Sequence, residues 1–242
     1  MLPYRMMTRQ SQSADAMSAR LVSVNVVHAL IDDPHGDVGR SAIDKRPTAN
    51  PVMLSEQGPI GDIIMDRVHH GGLDQAVYAY ALADLRAWSD VLHRELSPGV
   101  FGENLTTDGL DVTGSVIGAV WVVGDARLQV RSHRTPCTTF EAWLGEPHWV
   151  RRFTEYGAPG AYLKVLTPGH VQAGDCVLVE HVPAHGVTVG DVFQGRRGDR
   201  EKLQRLAGES DLADDMVSYL SRELAIGHRL PESASPLPQE GS

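Results

Sequence analysis

Cysteine is scarce in this chain of 242 residues: there are two, Cys137 and Cys176. A secreted disulfide scaffold would carry more, so the thiols are expected to be reduced and the compartment cytoplasmic. Two cysteines also cannot hold a four-cysteine iron–sulfur cluster. Long apolar runs are missing as well. None approaches the roughly 18 residues that read as a membrane-spanning helix, so no membrane partner is expected. Positive charge is in deficit: 22 Lys and Arg stand against 31 Asp and Glu, a formal net charge of −9. Binding to nucleic-acid backbones rests on clustered cations, which argues against a nucleic-acid polymer as partner. A local basic pocket for a phosphorylated small molecule stays open.

Turn chemistry is plentiful instead. The 24 glycines and 14 prolines favour a β-rich core over a helical bundle. Residues 1–19 lack periodicity and an apolar stretch, so they read as a loose arm and not a signal peptide. Residues 21–28 alternate as a strand. Residues 74–96 place Val77, Leu85, Trp88, Leu92 and Leu96 at helical spacing and predict one amphipathic helix. A hairpin is predicted around Gly124-Asp125, from Trp121-Val122-Val123 to 126–132. Short helical pieces follow at 140–144 and from Pro147 to Gly157, then strands at 162–166 and 176–182. After Pro183 the period changes from two to 3.6, with helices at 200–207 and 211–224. This divides the chain into a domain at 20–185, a helical appendage at 186–228 and a disordered tail at 229–242.

The candidate chemistry centres on Arg131-Ser132-His133-Arg134-Thr135-Pro136-Cys137. Pro136 cannot donate to a ladder, so Cys137 should sit where a strand ends and the backbone turns. Arg134, three residues earlier, would favour thiolate, the form that acts as nucleophile and metal ligand. The plainer alternative is a half-buried structural cysteine. Cys176 lies in the apolar run Cys-Val-Leu-Val and reads as core. Lys45 and Arg46 are adjacent cations before Pro47; they form a phosphate-binding pair or two solvated surface charges. His69-His70-Gly71-Gly72 precedes the predicted helix, and the glycines allow close backbone approach. Gly102-Glu103-Asn104-Leu105 forms a tight connection that presents two polar side chains. His69, His70, His133 and Cys137 have ligand types that suit zinc, but their spacing matches no standard zinc motif.

Taken in order, Ser41 to Pro47, Val68 to Gly72 with Asp74 and 76–80, Gly99 to Leu105, Arg134-Thr135-Pro136-Cys137, Gly160-Ala161-Tyr162 and Gly174-Asp175 resemble the MOSC family. That family is named for the C-terminal domain of molybdenum cofactor sulfurases. The similarity is greatest to stand-alone bacterial members that detoxify N-hydroxylated bases and carry a C-terminal 3-alpha domain. The chain departs from the usual pattern at His133, where relatives often have proline, and at Ala119, where they often have glutamate. The resemblance implies a mainly β fold: a closed, mostly antiparallel β-barrel of pyruvate-kinase type with peripheral helices. It also implies the pyranopterin molybdenum cofactor as ligand. Cys137 would ligate the metal and act in catalysis with His70 and Glu103. Lys45, Arg46, His70, Gly71, Glu103, Asn104 and Arg134 would bind the cofactor. The implied activity is reduction of an N-hydroxylated small molecule, with electrons from a separate donor protein. The alternative is a carrier or binding module for the cofactor or its sulfur. Some relatives are fused to a pyridoxal-phosphate sulfurase module. This chain has no room for one, so pyridoxal phosphate is not expected.

Overall fold

The computed structural model describes residues 19–34, 36, 38–63, 65, 72–194, 200–210 and 212–226. Most of the predicted arm, the tail, and His69, His70 and Gly71 therefore lie outside the described residues. The chain opens with a long hairpin, β1 (Arg20–Asp32) and β2 (Arg40–Pro47). The short strands β3 (Val52–Ser55) and β4 (Gly58–Pro59) follow, then β5 (Val77–Ala81) and α1 (Leu82–Leu92). Next come β6 (Leu105–Asp108), β7 (Val120–Val123) and β8 (Ala126–His133). Two helices, α2 (Thr138–Leu144) and α3 (Trp149–Tyr156), lead to β9 (Ala161–Thr167), β10 (Gly169–Val171) and β11 (Val177–His181). The chain continues through α4 (Val189–Gln194), α5 (Arg200–Ala207) and α6 (Asp214–Ile226).

Eight strands form one sheet in the order β11-β7-β8-β9-β5-β6-β1-β2, and β10-β3-β4 form a second. Every ladder is antiparallel except β5–β6, where Ala79 faces Leu105 in parallel register. The closed barrel implied by the family resemblance is not found among the described residues: no ladder there joins the edge strands β2 and β11. The sheet curls far enough to bring the start of β1 against the approach to β11. There Leu21 N–H donates to the Asp175 carbonyl at 2.8 Å, Gly174 N–H to the Leu21 carbonyl at 2.8 Å, and Val177 N–H to the Ala19 carbonyl at 2.7 Å. The reason lies in unequal strand lengths. β2 pairs with β1 only from Asn25 onward and stops at Pro47, leaving the first residues of β1 uncovered. The contact they find ends after the bridge between Arg20 and Cys176.

Residues 77–81 overturn the prediction of one helix across 74–96. They form β5, a strand buried on both faces. Val77, Ala79 and Ala81 join a cluster with Leu21, Leu105, Trp121 and Leu128. Tyr78 and Tyr80 join a second cluster with Trp88, Phe101, Phe140, Trp149 and Phe153. A strand buried on both sides loses its polar alternation, and a continuous apolar run cannot be told from a helix by periodicity. The helix begins only at Leu82. The hairpin about Gly124-Asp125 is as expected, with Val123 facing Ala126.

Cys176 also needs correction, because it is exposed. In β11 only Val177 is buried, and Leu178 and Val179 face outward on an edge strand. The apolar run therefore does not mark a core position. Past β11, Ile117 N–H donates to the Val187 carbonyl and Gly190 N–H to the Thr113 carbonyl, both at 2.9 Å. Val187, Val189, Leu203, Leu206, Met216 and Leu220 belong to the same apolar cluster as the large sheet. Among the described residues, no helix is long and apolar enough to cross a membrane.

The aromatic cluster packs α1, α2 and α3 against the sheet. Trp88 and Trp149 stand 4.4 Å apart between ring centroids. Asp84 lies at its edge, and burial, helped by the charge of Asp111, pushes its carboxyl from an ordinary 3.8 to about 6. The Tyr156 hydroxyl, donating at 3.5 Å, opposes this shift. Between those pH values the folded state holds a proton that the unfolded chain has released, so stability falls as pH rises through the window. Asp84→Asn should abolish that fall and stabilise the protein at pH 7 by up to about 3 kcal/mol. Denaturant midpoints of both proteins at pH 4 and pH 7 check it; equal pH slopes would refute the assignment. Cys176→Ser, in contrast, should change stability by less than about 0.5 kcal/mol, as surface substitutions do.

Candidate functional site

One cleft gathers most of the described candidate residues. Its walls are the β1–β2 hairpin, Asp62, Ile63, Met65, the start of β5, Gly102, Asn104, the β8–α2 junction and Tyr162. Counted with the open space at its mouth it spans about 910 Å³, of which about 160 Å³ is enclosed room for water-sized molecules.

The β8–α2 junction forms as its sequence predicts. β8 ends at His133, and Cys137 is extended at φ −133° and ψ 173° as the residue that precedes α2. Cys137 is partly buried and lines the cleft. Arg134 is only 8% exposed and also lines it. Its guanidinium donates to the Phe101 carbonyl. It lies 4.1 Å from the Phe140 ring centroid and 5.2 Å from that of Tyr78. Burial works against its charge, but Tyr78, Tyr162 and Cys137 outweigh it and hold its pKa up.

The loop at 99–103 presents that Phe101 carbonyl, and it depends on glycine. Gly99 has φ 90°, and a Cβ there would sit 2.4 Å from the Lys45 carbonyl oxygen. Glu103 closes the loop from inside. Its carboxylate accepts the Gly99 N–H at 2.6 Å, the Phe101 N–H at 3.0 Å and the Thr106 hydroxyl at 2.9 Å. Burial pushes its pKa up, and these donors pull it back. Glu103 is fully buried and does not reach the cleft wall.

Adjacent residues on a strand point to opposite faces, and β2 separates its two cations accordingly. Lys45 lines the cleft and is ion-paired with Asp62. Burial lowers its pKa, and Asp62 opposes that shift. Arg46 points elsewhere: 58% of its side chain is exposed, and it grips both Asp44 oxygens at 3.0 and 3.1 Å. Asp62 also accepts the Val27 N–H at 3.0 Å and the Asn104 amide at 2.8 Å. Asn104 accepts the Tyr78 N–H at 3.1 Å and donates to the Asn25 carbonyl at 3.3 Å.

The structure thus brings Lys45, Asn104, Arg134 and Cys137 together and leaves Arg46 and Glu103 out of the cleft. His70 and Gly71 lie outside the described residues. Asp62, Tyr78 and Tyr162 join the cleft without having been assigned a role from sequence. Asp62 was legible only as the end of a turn signal, Pro59-Ile60-Gly61-Asp62. The tyrosines lie in two of the segments that carry the family resemblance, 76–80 and 160–162, but had no role there. Two members of the zinc alternative, His69 and His70, are outside the described residues. A third, His133, meets the Phe193 ring at 5.1 Å and does not line the cleft. Among the described residues, no three His, Cys, Asp or Glu side chains are placed to hold a metal ion.

Glu103→Ala should cost about 2–4 kcal/mol, because it strands buried N–H groups of Gly99 and Phe101. Chemical denaturation measures this. A loss below about 0.5 kcal/mol would show that the loop holds without its carboxylate.

Comparison with known proteins bears on this same region. The MOSC domain family matches residues 66–178. The uncharacterized protein YflK of Bacillus subtilis is 37% identical over 187 residues, 76% of this chain and 85% of that protein. Protein YiiM of Escherichia coli is 31% identical over 55% of this chain. A Gibberella moniliformis protein named Reductase is 30% identical over 69% of it. The chain spans 61% of the length of YiiM and 30% of the reductase. Among solved structures, YiiM from Geobacillus stearothermophilus superposes with a TM-score of 0.70 at 24% identity. The alignment covers 85% of this chain and 99% of that one, which shows a shared fold. The matched segment contains β5, β8 and Cys137 and ends within β11, and with the relative covered over 85% of its length it shows that the chain belongs to the MOSC family.

Proposed function

We propose that the cleft holds the pyranopterin molybdenum cofactor and that the chain reduces N-hydroxylated compounds with electrons from a separate donor protein. The observation that carries this reading is the placement of Cys137 and the buried Arg134 in one cleft. The donor set fits. A thiol is the soft ligand that molybdenum accepts, and a buried guanidinium is a partner for oxyanions. When bound, the metal supplies two-electron oxygen-atom chemistry.

The protein's own residues have separable parts in this scheme. Arg134 offers its guanidinium to an oxyanion beside Cys137. Tyr78 and Phe140 keep water from one side of that guanidinium. Asn104 uses its amide to fix β5 to the 102–104 segment, so the cleft wall does not depend on the ligand. The overall reaction takes a hydroxylamine-type nitrogen, two electrons and two protons. It cleaves the N–O bond and yields the amine and water. His70 retains the catalytic and cofactor-binding role, and Gly71 the cofactor-binding role, that the family resemblance implies.

Cys137→Ser should lower molybdenum per chain by at least about tenfold, by analogy with losses at metal-site shells, and keep the thermal midpoint. It should also abolish viologen-driven reduction of 6-hydroxylaminopurine or an amidoxime. Cys176→Ser should keep both metal and turnover. Wild-type turnover in Cys137→Ser would remove the ligand role. Molybdenum bound by the wild type without turnover of either substrate would make the chain a carrier.

A further inference from the structure

Among the described residues three cations line the cleft, and they are not equivalent. Arg40 is exposed at the mouth and donates to the Leu30 carbonyl at 3.4 Å. Lys45 is ion-paired with Asp62. Arg134 is buried, and among the described residues it forms no ion pair with a carboxylate. Its neighbours are a backbone carbonyl, two aromatic faces, the phenols of Tyr78 and Tyr162, and the Cys137 thiol. Among the described residues two carboxylates line the cleft wall, and both are engaged with other groups. Asp62 holds Lys45, Val27 and Asn104, and Asp33 accepts the Thr139 hydroxyl at 2.5 Å. Arg46, the other half of the sequence-predicted phosphate pair, is outside the cleft and neutralised by Asp44.

We propose that Asp62 sets the charge the cleft offers to its ligand. By neutralising Lys45 it leaves Arg134 as the anion-binding cation. The oxyanion subsite then lies at Arg134 and not at Lys45 and Arg46. The ligand group is a small tetrahedral oxyanion, either free phosphate or the terminal phosphate of a larger molecule. Only the identity of that larger molecule rests on the cofactor reading. Charge balance distinguishes the two cations. A buried cation with neutral partners is stabilised by an incoming anion, whereas a cation already paired must first give up its partner.

The test is calorimetric binding of inorganic phosphate to the full chain purified without cofactor. The wild type should bind, and Arg134→Gln should lose affinity by at least about tenfold, the effect of one charge-assisted contact. Asp62→Asn releases Lys45 and should bind phosphate more tightly, on the order of tenfold. The double variant Lys45→Met/Asp62→Asn removes both charges together, keeps a side-chain acceptor at position 62 for the Val27 N–H, and should bind as the wild type does. It keeps the test alive if Asp62→Asn does not fold. Cofactor-loaded protein should refuse inorganic phosphate if the subsite serves the cofactor's own phosphate, and accept it if the subsite serves a free oxyanion. The proposal is overturned if the wild type binds no phosphate, or if Lys45→Met alone abolishes binding that Arg134→Gln retains. Unchanged or weaker binding by folded Asp62→Asn would overturn it too. The probe involves neither metal nor turnover, so such a failure leaves the cofactor reading standing, and loss of that reading leaves this one testable.

Discussion

A guanidinium held out of water is the constraint around which this cleft is built. Desolvating a charge costs several kcal/mol even after relaxation, so the fold must compensate Arg134 or lose it. Compensation comes from three directions: the Phe101 carbonyl, the face of Phe140 and the face of Tyr78. Each is fixed by other interactions. Phe101 packs among Tyr80, Phe140 and Trp149 at ring separations of 5.1–5.5 Å. Its carbonyl is aimed by a loop that Glu103 closes and Gly99 permits. Tyr78 sits on a strand whose neighbour is pinned by Asn104. The aromatic cluster that packs α1, α2 and α3 on the sheet is therefore also the support of the site.

That dependence explains why motif residues divide into two kinds. Arg134, Cys137, Lys45 and Asn104 face the cleft, whereas Glu103 faces the loop that shapes it. A Glu-Asn pair in a tight connection looks the same in sequence whichever way each side chain turns. The carboxylate has buried backbone donors within reach, and an unmet buried N–H is expensive, so backbone satisfaction decides its orientation.

Several features were legible in the sequence. The end of β8 before Pro136, the Gly124-Asp125 hairpin and α5 follow from local rules of pairing, turn chemistry and periodicity. β5 was not legible, because burial on both faces erases the alternation that marks a strand. The exposure of Cys176 was hidden for a related reason: an edge strand can be apolar in sequence without lying in the core. The open sheet depends on how far β2 extends along β1, a property of pairing register that no single segment encodes. Asp62 was missed because its importance comes from partners at Val27, Lys45 and Asn104, all remote in sequence.

Lys45 and Arg46 show what a sequence argument carried one step further would have seen. Both lie in a strand, and strand geometry sends neighbours to opposite faces, so the pair was never free to hold one ligand together. β2 is also an edge strand of the large sheet, and edges are guarded by charge. The Arg46–Asp44 pair supplies charge on the exposed side. Lys45 points inward and carries its own counter-charge, Asp62, from another segment. A charge placed inward for a ligand alone would be a liability whenever the ligand was absent. Pairing Lys45 with Asp62 removes that liability and leaves Arg134 as the buried cleft cation without a carboxylate partner among the described residues, where aromatic faces and a backbone carbonyl already make its charge tolerable.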